Sequence, residues 1–451
     1  MSAKKDVEKR KADVRALLAL INSSTEDAMA SWEHDEGTVP GLDDEPEDTS
    51  PSPVLLRSMR VLDGACYQLT YLLRPTFMTS INQAWGLIEA ACMRVAIHSK
   101  AADFLNDKPD GAHINEIAKN AGLDADKLGR ILRLLTMKHV FREVSKDVFA
   151  NNRGSYAIRS SDPRCAFLGF MVDEVNKYGF SNVYDALADP EYGPSRDDRR
   201  SVFSWGIRDE MPNANIFEWY NKHPELFDRF SRAMTAIKLG LINEFYPVAS
   251  LPVDTKWCDV GGGMGGALVH VANTNPKLRM TLQDMPNVVE QARQHMLKEC
   301  PQQVKGGRVS FVPIDFMKEP PVPDQDIYYM RFIIHDWPDA NVLNIMRNVR
   351  KAMKPSSRYL IHDLVLTVPT DKGASQSKNV NAPAQNAPPP LLPNYGAGGI
   401  RPFLADINIM TALNARERSV EDVVHLANQV GLEFVRFWDG VETGAIELKA
   451  A

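Results

Sequence analysis

Residues 256–270 read Lys256-Trp-Cys-Asp-Val-Gly-Gly-Gly-Met-Gly-Gly-Ala-Leu-Val-His270, the most informative stretch of the chain. An apolar run leads into a turn with five glycines in six positions, and an apolar helical pattern follows. Gly261, Gly263 and Gly266 fit the spacing GxGxxG, which lets the backbone approach a ligand closely and presents N–H groups at the start of a helix. A tight turn alone would explain one or two of these glycines. The stretch therefore predicts a strand, a cofactor-binding turn and a helix.

From about residue 251 onward, short apolar runs alternate with helical patterns. The runs occupy residues 257–260, 280–282, 309–312, 327–330 and 359–361. Such alternation is typical of a parallel sheet covered by helices. We therefore predict an α/β domain over residues 251–451, with a loop insertion at 370–402 that is rich in Pro, Asn, Ala and Gly and expected to be mobile.

The first 53 residues form a separate segment in the sequence. An amphipathic helix is expected over residues 4–22. Residues 26–48 then hold ten Asp or Glu and no Lys or Arg, which predicts a solvated and poorly ordered linker. We therefore treat residues 1–53 as an N-terminal helix followed by an acidic linker.

Residues 54–165 predict a helical domain of winged-helix type. Ile81 to Ala96 is nearly all apolar and is expected to be a buried helix. A helix–turn–helix follows over 114–136, and then a β-hairpin over 141–158 with its turn at 150–154. Residues 166–250 are expected to be a helical connection to the sheet domain.

Composition narrows the class of protein. The 451 residues carry a net charge of −6, so the whole molecule does not attract nucleic acid or anionic lipid. No stretch reaches the ~18 uninterrupted apolar residues of a membrane helix. Five widely spaced cysteines without a CxxC motif argue against a disulfide framework or a zinc site and favour the cytoplasm. A winged helix also suggests DNA binding, but its second helix is mostly core and lacks a dense basic stripe.

Two acids follow the next apolar runs and indicate an adenosyl ligand. Asp284 lies 23 residues after Gly261, where a carboxylate can accept both hydroxyls of a ribose. Asp315 follows the run 309–312 with Phe316 beside it, which offers an acceptor and an aromatic face to an adenine. A dinucleotide would recruit a second half-fold, for which little chain remains. The alternative for both acids is an ordinary surface carboxylate on a loop.

A histidine follows the fourth predicted strand. His335 would therefore lie at the carboxyl edge of the sheet, where ligands bind in parallel α/β folds. A neutral imidazole there can take a proton from a phenolic or similar hydroxyl near neutral pH. Asp363 and Glu417 are placed to orient it. The alternative is a capping residue before a helix for His335 and an ordinary structural role for Asp363 and Glu417.

These residues together resemble the plant and fungal S-adenosylmethionine-dependent O-methyltransferases of the caffeate and flavonoid type. The resemblance runs from about residue 55 to the C-terminus. The matching pieces, in the family's order, are Asp259-Val-Gly-Gly-Gly-Met-Gly, Gln283-Asp-Met-Pro-Asn-Val, Ile314-Asp-Phe-Met, Arg331-Phe-Ile-Ile-His-Asp-Trp-Pro-Asp and Glu417-Arg-Ser.

The resemblance implies a Rossmann-like class I methyltransferase sheet domain and a mainly helical N-terminal winged-helix dimerisation domain. It also implies S-adenosylmethionine as cofactor, S-adenosylhomocysteine as product and no metal. The residues that it implies for cofactor binding are Gly261, Gly262, Gly263, Asp284, Met285, Asp315, Phe316 and Arg331. His335 matches the catalytic base, with Asp363 and Glu417 as its flanking acids. The family usually has Glu at the position of Asp363 and often Lys at the position of Arg331.

The expected reaction moves the sulfonium methyl to a hydroxyl of an aromatic, alkaloid or polyketide-type acceptor. The expected partners are this small molecule and a second copy of the chain, without nucleic acid or membrane. Side chains expected to contact the acceptor are Phe170, Trp205, Phe217, Met234 and Asp336, with core packing as the alternative for the four apolar ones. Two alternatives stay open: a relative that uses bound S-adenosylmethionine for a dehydration or pericyclisation, and a winged-helix DNA-binding regulator.

Overall fold

The computed structural model describes residues 2–46, 50–235, 240–367 and 387–451. Its N-terminal part is helical, beginning with a long helix and four shorter ones. The first five helices are α1 Ser2–Glu36, α2 Pro53–Leu73, α3 Thr76–Ala84, α4 Gly86–Ser99 and α5 Ala101–Phe104. α2 begins at the N-cap Ser52, whose side chain accepts a hydrogen bond from the amide of Leu55.

A winged-helix unit follows these helices, as the sequence predicts. It comprises β1 Ala112–His113, α6 Ile114–Ala121, α7 Ala125–Thr136, β2 Arg142–Ser145 and β3 Val148–Ala150. Gly122 ends α6 at a φ of +66°, and Asp124 caps α7 by accepting from the amide of Lys127. The three strands pair antiparallel in the order β1-β3-β2.

The predicted position of the hairpin is wrong. Its turn lies at Lys146 and Asp147, where Asp147 has a φ of +62°, and not at residues 150–154. Asn152 instead caps the short helix α8, Arg153–Tyr156, by accepting from the amide of Ser155. The polar residues 150–154 therefore begin a helix, which is the other common use of such a cluster.

The prediction of one buried helix over residues 81–96 is also wrong. The chain breaks between α3 and α4 at Trp85, and large apolar side chains on both helices face solvent. Trp85 is 58% exposed, Leu87 is 74% exposed and Phe77 is 75% exposed. These apolar side chains thus lie on the surface, and no other described residue of the same chain covers them.

A run of short helices connects the winged helix to the sheet. These are α9 Pro163–Phe170, a π-helix Met171–Gly179, α10 Val183–Ala188, α11 Val202–Gly206, α12 Ile216–Lys222 and α13 Pro224–Thr235. Short 3₁₀ turns separate several of them, at Phe180–Asn182, Asp198–Arg200, Ile242–Glu244 and Val248–Ser250. An aromatic cluster around Trp219 and Tyr220 fills their centre.

The C-terminal part is a mixed sheet of seven strands in the order β6-β5-β4-β7-β8-β10-β9. The strands are β4 Lys256–Val260, β5 Arg279–Asp284, β6 Val309–Pro313, β7 Ile327–Arg331, β8 Arg358–Asp363, β9 Leu432–Asp439 and β10 Gly444–Ala450. The first five are parallel, and β10 pairs antiparallel with both β8 and β9. All five predicted parallel strands are present, whereas β9 and β10 were not foreseen.

Helices cover both faces of this sheet, and apolar side chains fill the space on each side. These helices are α14 Gly266–Thr274, α15 Pro286–Glu299, α16 Pro301–Lys305, α17 Asp339–Ala352 and α19 Val420–Asn428, whereas α18 Arg401–Leu413 packs into the helical connection. The strand order reverses direction between β4 and β7, which opens a crevice at the carboxyl edge. Among the described helices, none combines the length and apolar character needed to cross a membrane.

Two segments predicted to be loose are partly packed. α1 extends to Glu36, so the acidic stretch begins as helix, and its later part lies against the winged helix. There the carbonyl of Leu42 accepts from the amide of Arg153, and the Asp43 carboxylate lies 3.6 Å from Arg142. The later part of the acidic stretch thus contacts basic residues in and just after the winged-helix unit.

The predicted insertion at 370–402 lies partly outside the described residues. Residues 387–402, which are described, pack against α1 and α2 instead of forming a mobile loop. Leu391 and Tyr395 share a buried apolar cluster with Leu17 of α1 and Ala65 of α2. The Gln68 side-chain amide donates to the carbonyl of Pro390.

Candidate active site

The glycine-rich turn joins β4 to α14 and divides into two kinds of position. A Cβ on Gly261 would lie 2.6 Å from Ile333, and one on Gly262 would lie 3.0 Å from both Asp259 and Leu282. A Cβ on Gly263 or Gly266 would meet no protein atom within 4 Å. Glycine is therefore required by packing at the first two positions, while the backbone of the other two borders open space.

Asp284 stands at the end of β5, directly beside this turn. Its carboxylate accepts from the amide of Gly263 at 2.9 Å and from the amide of Met285 at 2.7 Å. Burial raises the pKa of Asp284, and the two amides oppose that rise. The Met285 side chain is 48% exposed at the start of α15. The carboxylate is thus fixed in direction at the strand end.

The sequence reasoning missed Asp259, which precedes the glycines on β4. Its side chain is 1% exposed, and its Oδ2 has no hydrogen-bond partner among the described residues. Burial and the neighbouring Asp284 raise the pKa of Asp259 to about 7, and Arg331 opposes this. A buried acceptor without a donor beside an open turn indicates a polar ligand group there. The signal in the sequence was the acid at the end of the apolar run.

Asp315 and Phe316 follow β6, on the far side of Asp284. The Asp315 carboxylate is held by Lys318 at 2.8 Å, and this contact lowers its pKa. The Phe316 ring lies 3.4 Å from the position of a Cβ on Gly261 and 6.5 Å, edge to face, from the ring of Trp337. Both predicted residues therefore lie along the same sheet edge as the glycine turn.

His335 occupies a short 3₁₀ turn, Ile334–Asp336, after β7. Its Nδ1 donates to Glu417 Oε1 at 2.8 Å, and its Nε2 lies 3.5 Å from Asp336 Oδ1. The Glu417 side chain is fully buried, while 13% of the His335 side chain stays exposed. Because Glu417 occupies Nδ1, the nitrogen left to act on another molecule is Nε2.

Charges around His335 favour its protonated form. Burial alone would lower its pKa, but Asp336, Glu417 and Asp363 together raise the pKa to about 10. Burial raises the pKa of Asp363 to about 7, which the His335 charge partly offsets. Asp363 makes no hydrogen bond to the imidazole; its Oδ1 is buried without a partner in the described part of the chain. Glu417 therefore orients the ring, and Asp363 acts on it through charge alone.

Another histidine at the sheet edge shows the opposite behaviour. His362 is fully buried, with Tyr329 Oη at 2.7 Å from its Nδ1 and Thr443 Oγ1 at 2.7 Å from its Nε2. Burial and nearby Arg331 lower its pKa well below the usual value. His362 is therefore a neutral core residue, and His335 is the histidine with carboxylates around it.

Arg331 ends β7 between the turn and the histidine. Its guanidinium lies 4.5 Å from the ring centre of Phe332. Its positive charge acts to lower the pKa values of Asp259 and Glu244, against the effect of burial. Phe332 has a φ of +54° and stacks on His335 with ring centres 5.5 Å apart. The unusual backbone at Phe332 redirects the chain from the strand to the histidine turn.

The predicted acceptor-contacting residues are divided between separate clusters. Phe170 and Phe217 both pack edge to face on Phe230 in the helical connection. Trp205 stacks under Arg208 and donates to Asp189. Met234 is 39% exposed on α13. Of the five, Asp336 is the one placed beside His335.

This arrangement can perform proton transfer beside a nucleoside-type ligand. The glycine turn, Asp259, Asp284 and Asp315 form one row along the carboxyl edge, and His335 stands at the next strand end. Among the described residues, no group of three or more His, Cys, Asp or Glu is arranged to hold a metal ion.

Two comparisons with known sequences match O-methyltransferases. A family model described as an O-methyltransferase domain matches residues 201–387. The chain is 38% identical over 447 residues to 3-O-methyltransferase 2 of Phanerochaete chrysosporium, covering 97% of each chain.

Solved structures show the same fold at low identity. The structure of LepI in complex with S-adenosylmethionine superposes with a TM-score of 0.71 at 20% identity, covering 87% of this chain and 94% of that one. A structure described as a pericyclic reaction enzyme gives the same TM-score, identity and coverage.

Proposed function

This chain belongs to the O-methyltransferase family, and we propose that it transfers the methyl group of S-adenosylmethionine to a hydroxyl of an aromatic small molecule with His335 as general base. The observation that carries this proposal is the contact between His335 Nδ1 and the buried Glu417, which leaves Nε2 for the acceptor. This reaction is an O-methylation, the class of reaction for which the family is named.

The residues at the glycine turn fit the cofactor. We assign the methionine portion to Gly261, Gly262 and Gly263, and the ribose to Asp284 with Met285 beside it. This is supported by the open space at Gly263 and by the unpartnered Oδ2 of Asp259 nearby. Asp315 and Phe316 are assigned to the adenine, and Arg331 to the side of the cofactor that faces His335. When bound, S-adenosylmethionine supplies an electrophilic methyl on a positively charged sulfur.

His335 would receive the acceptor's proton at Nε2 as the hydroxyl oxygen attacks. Glu417 holds the ring in one orientation and stabilises the imidazolium that forms, while Asp363 adds negative charge nearby. The positive sulfur of the cofactor opposes these carboxylates, so binding should lower the pKa of His335 toward the value that a base requires. Asp336 lies beside Nε2 and is assigned to a polar group of the acceptor.

The acceptor itself is assigned by class only. The family resemblance favours a hydroxylated aromatic, and polyketide, phenol or alkaloid hydroxyls satisfy the same chemistry. We place residues 166–250 and the 251–451 domain on the two sides of this acceptor. All five cysteines are free, which supports a reducing compartment such as the cytoplasm.

We also propose that the chain forms a homodimer through the domain at 54–165. Support comes from the exposed apolar surface, defined here as Tyr67, Tyr71, Leu72, Leu73, Phe77, Met78, Trp85, Leu87 and Ile88. Each of these side chains is at least 43% exposed. Adjacent exposed apolar side chains in such number are typical of protein–protein interfaces.

The DNA-binding alternative is weakened by the contacts of the winged helix. Arg133 on α7 is paired with Glu143 and Asp147, and Arg142 lies near Asp43 of the acidic segment. Arg159 lies 3.6 Å from Glu45 of the same segment. These three arginines are therefore engaged with the chain's own acids.

The non-methylating alternative has one specific support, the structural likeness to a pericyclic reaction enzyme. Product analysis distinguishes the two. Purified protein with S-adenosylmethionine and a panel of catechol, caffeate, 1-naphthol and 3-hydroxybenzoate should yield methyl ether and S-adenosylhomocysteine in equal amounts. A converted acceptor without S-adenosylhomocysteine would favour the alternative, and no product from any member would overturn the phenolic acceptor.

The role of His335 is tested by His335→Ala. We expect turnover to fall by ~10²–10⁴, because a general base typically contributes that much. Affinity for S-adenosylhomocysteine, measured by calorimetry, should stay within a few-fold. Unchanged turnover would refute the assignment of the base. His425→Ala, which replaces a histidine on α19 outside this site, is the matched control.

A further inference from the structure

Arg418 is a buried charge at the junction of three loops at the active-site edge. It follows Glu417 directly and is 4% exposed. Nη1 donates to the carbonyl of Ile334 at 2.7 Å, and Nη2 donates to the carbonyl of Trp337 at 2.8 Å. These carbonyls lie on the two sides of His335 and Asp336. The guanidinium therefore holds the histidine turn at both of its ends.

The same side chain also reaches the start of α17. Nε and Nη2 donate to Asp339 Oδ1 at 3.1 and 2.7 Å. Because this carboxylate neutralises the guanidinium, Arg418 does not bring an unpaired charge into the sheet edge. Nη1 also donates to the carbonyl of Arg416 at 3.4 Å. The planar fork thus contacts three carbonyls and a carboxylate, which a lysine ammonium could not reproduce together.

The backbone of Arg418 fixes a third loop. Its carbonyl accepts from the amide of Leu366 at 3.1 Å, just beyond the end of β8. On the other side, the amide of Glu417 donates to Asp406 of α18 at 2.9 Å. The segment that carries Glu417 is thereby fastened to α18, to the exit of β8 and to the histidine turn.

We propose that Arg418 is a positioning residue that holds the His335 turn against Glu417 and so fixes the Nδ1–Oε1 contact. This inference rests on the proposed role of His335 as the base. The turn spans three residues, Ile334–Asp336, and its neighbours belong to loops. Tethers from outside the turn therefore decide where the imidazole stands.

Positioning has a consequence that differs from ordinary structural support. Loosening the turn should disturb the imidazole while leaving the glycine turn, and hence cofactor binding, intact. A displacement of about 1 Å in a catalytic group can cost roughly 10²-fold in rate. Arg418→Met should lower kcat by about that factor, with S-adenosylhomocysteine affinity within a few-fold. Arg418→Lys should recover part of the loss because it retains a donor.

The matched control is Arg350→Met. Arg350 also donates to a backbone carbonyl, that of Gly431 at 2.9 Å, but it joins α17 to the loop before β9. A general loss of stability from a missing arginine tether would appear in both variants. An effect through the histidine turn would appear in the Arg418 variants alone.

The direct readout is the Nδ1 proton of His335 in protein labelled with ¹⁵N-histidine, observed by NMR without an acceptor. The His335→Ala spectrum identifies this signal by its absence. We expect the signal to be lost or displaced in Arg418→Met, to be partly kept in Arg418→Lys and to be unchanged in Arg350→Met. A double variant with Glu417→Gln should show no further loss of kcat beyond Glu417→Gln alone.

An unchanged Nδ1 signal and near-normal kcat in Arg418→Met would overturn the inference. If Arg418→Met does not fold, the same two measurements on Arg418→Lys decide it. Active His335→Ala would instead refute the base assignment, whatever the Arg418 variants do. The two failures are thus distinguishable.

Discussion

His335 has the charge environment of an imidazolium before any ligand binds. Its pKa of about 10 results from Asp336, Glu417 and Asp363, which together outweigh the effect of burial. A base must be neutral to accept a proton, so kcat/KM should rise with pH through the range in which His335 loses its proton. The carboxylates increase basicity but keep most of the free protein in the protonated form at neutral pH.

Asp336→Asn should therefore shift the base limb of the pH–rate profile to lower pH. Removing a negative charge 3.5 Å from Nε2 destabilises the imidazolium, by roughly one pH unit or more. The kcat/KM profile measured between pH 5 and 10 tests this, since it reports the free protein. Asp315→Asn, whose carboxylate pairs with Lys318, is the control and should leave the limb in place. A shift of the base limb of Asp336→Asn to higher pH would contradict the electrostatic account.

Asp284→Ala should weaken S-adenosylhomocysteine binding by roughly 10- to 100-fold. A hydrogen bond to a charged group contributes about 1.5–3 kcal/mol, and the Asp284 carboxylate is held in place by two backbone amides. Isothermal titration calorimetry gives the affinity. Asp254→Ala, at the opposite edge of the sheet before β4, should bind normally. If Asp284→Ala binds S-adenosylhomocysteine as tightly as the wild type, the assignment of Asp284 to the ribose is wrong.

The sequence located His335, Asp363 and Glu417 because two of them follow parallel strands, whose carboxyl ends must meet at one edge. It could not tell how each acts. Only the folded chain shows that Glu417 contacts the imidazole while Asp363 does not. The sequence assigns no role to Arg418, because the carbonyls of Ile334 and Trp337 that it contacts lie about 80 residues away in the chain.

At the level of elements, periodicity predicted the five parallel strands but not β9 and β10. β4, β7 and β8 are almost wholly buried, and all five parallel strands read as short apolar runs. β9 carries a mixture of apolar and charged residues, Leu432-Glu-Phe-Val-Arg-Phe-Trp-Asp439, at the sheet's edge. A pattern rule for buried strands does not recognise such a strand. The misplaced hairpin has a similar origin, because Asn152 begins a helix in a cluster typical of turns.

The packing of α2 against residues 391–398 depends on a small residue. A Cβ on Gly64 would overlap the carbonyl oxygen of Tyr395. Gly64→Ala should therefore destabilise the protein by about 1–3 kcal/mol, the usual cost of overpacking. Gly86→Ala, at the start of α4, meets nothing within 4 Å and should be neutral or slightly stabilising. Urea denaturation measures both, and equal midpoints would refute the close contact.

Across the whole molecule, the N-terminal helices are connected to the catalytic edge through one continuous set of contacts. α1 and α2 enclose residues 391–395, which lead into α18. Asp406 of α18 in turn accepts from the amide of Glu417. Contiguous contacts therefore link the N-terminal helices to the loop that carries Glu417.

The exposed apolar surface on α2, α3 and α4 should be covered by a second copy of the chain. Leu87→Glu combined with Phe77→Glu places two charges where both side chains are more than 70% exposed. A charge in the centre of an apolar interface is costly unless it is paired, so we expect the double variant to sediment as a monomer. Leu123→Glu, at an exposed apolar residue between α6 and α7, should remain dimeric. Light scattering gives the masses. A monomeric wild type would exclude the dimer, and a double variant that stays dimeric would place the dimer contact elsewhere.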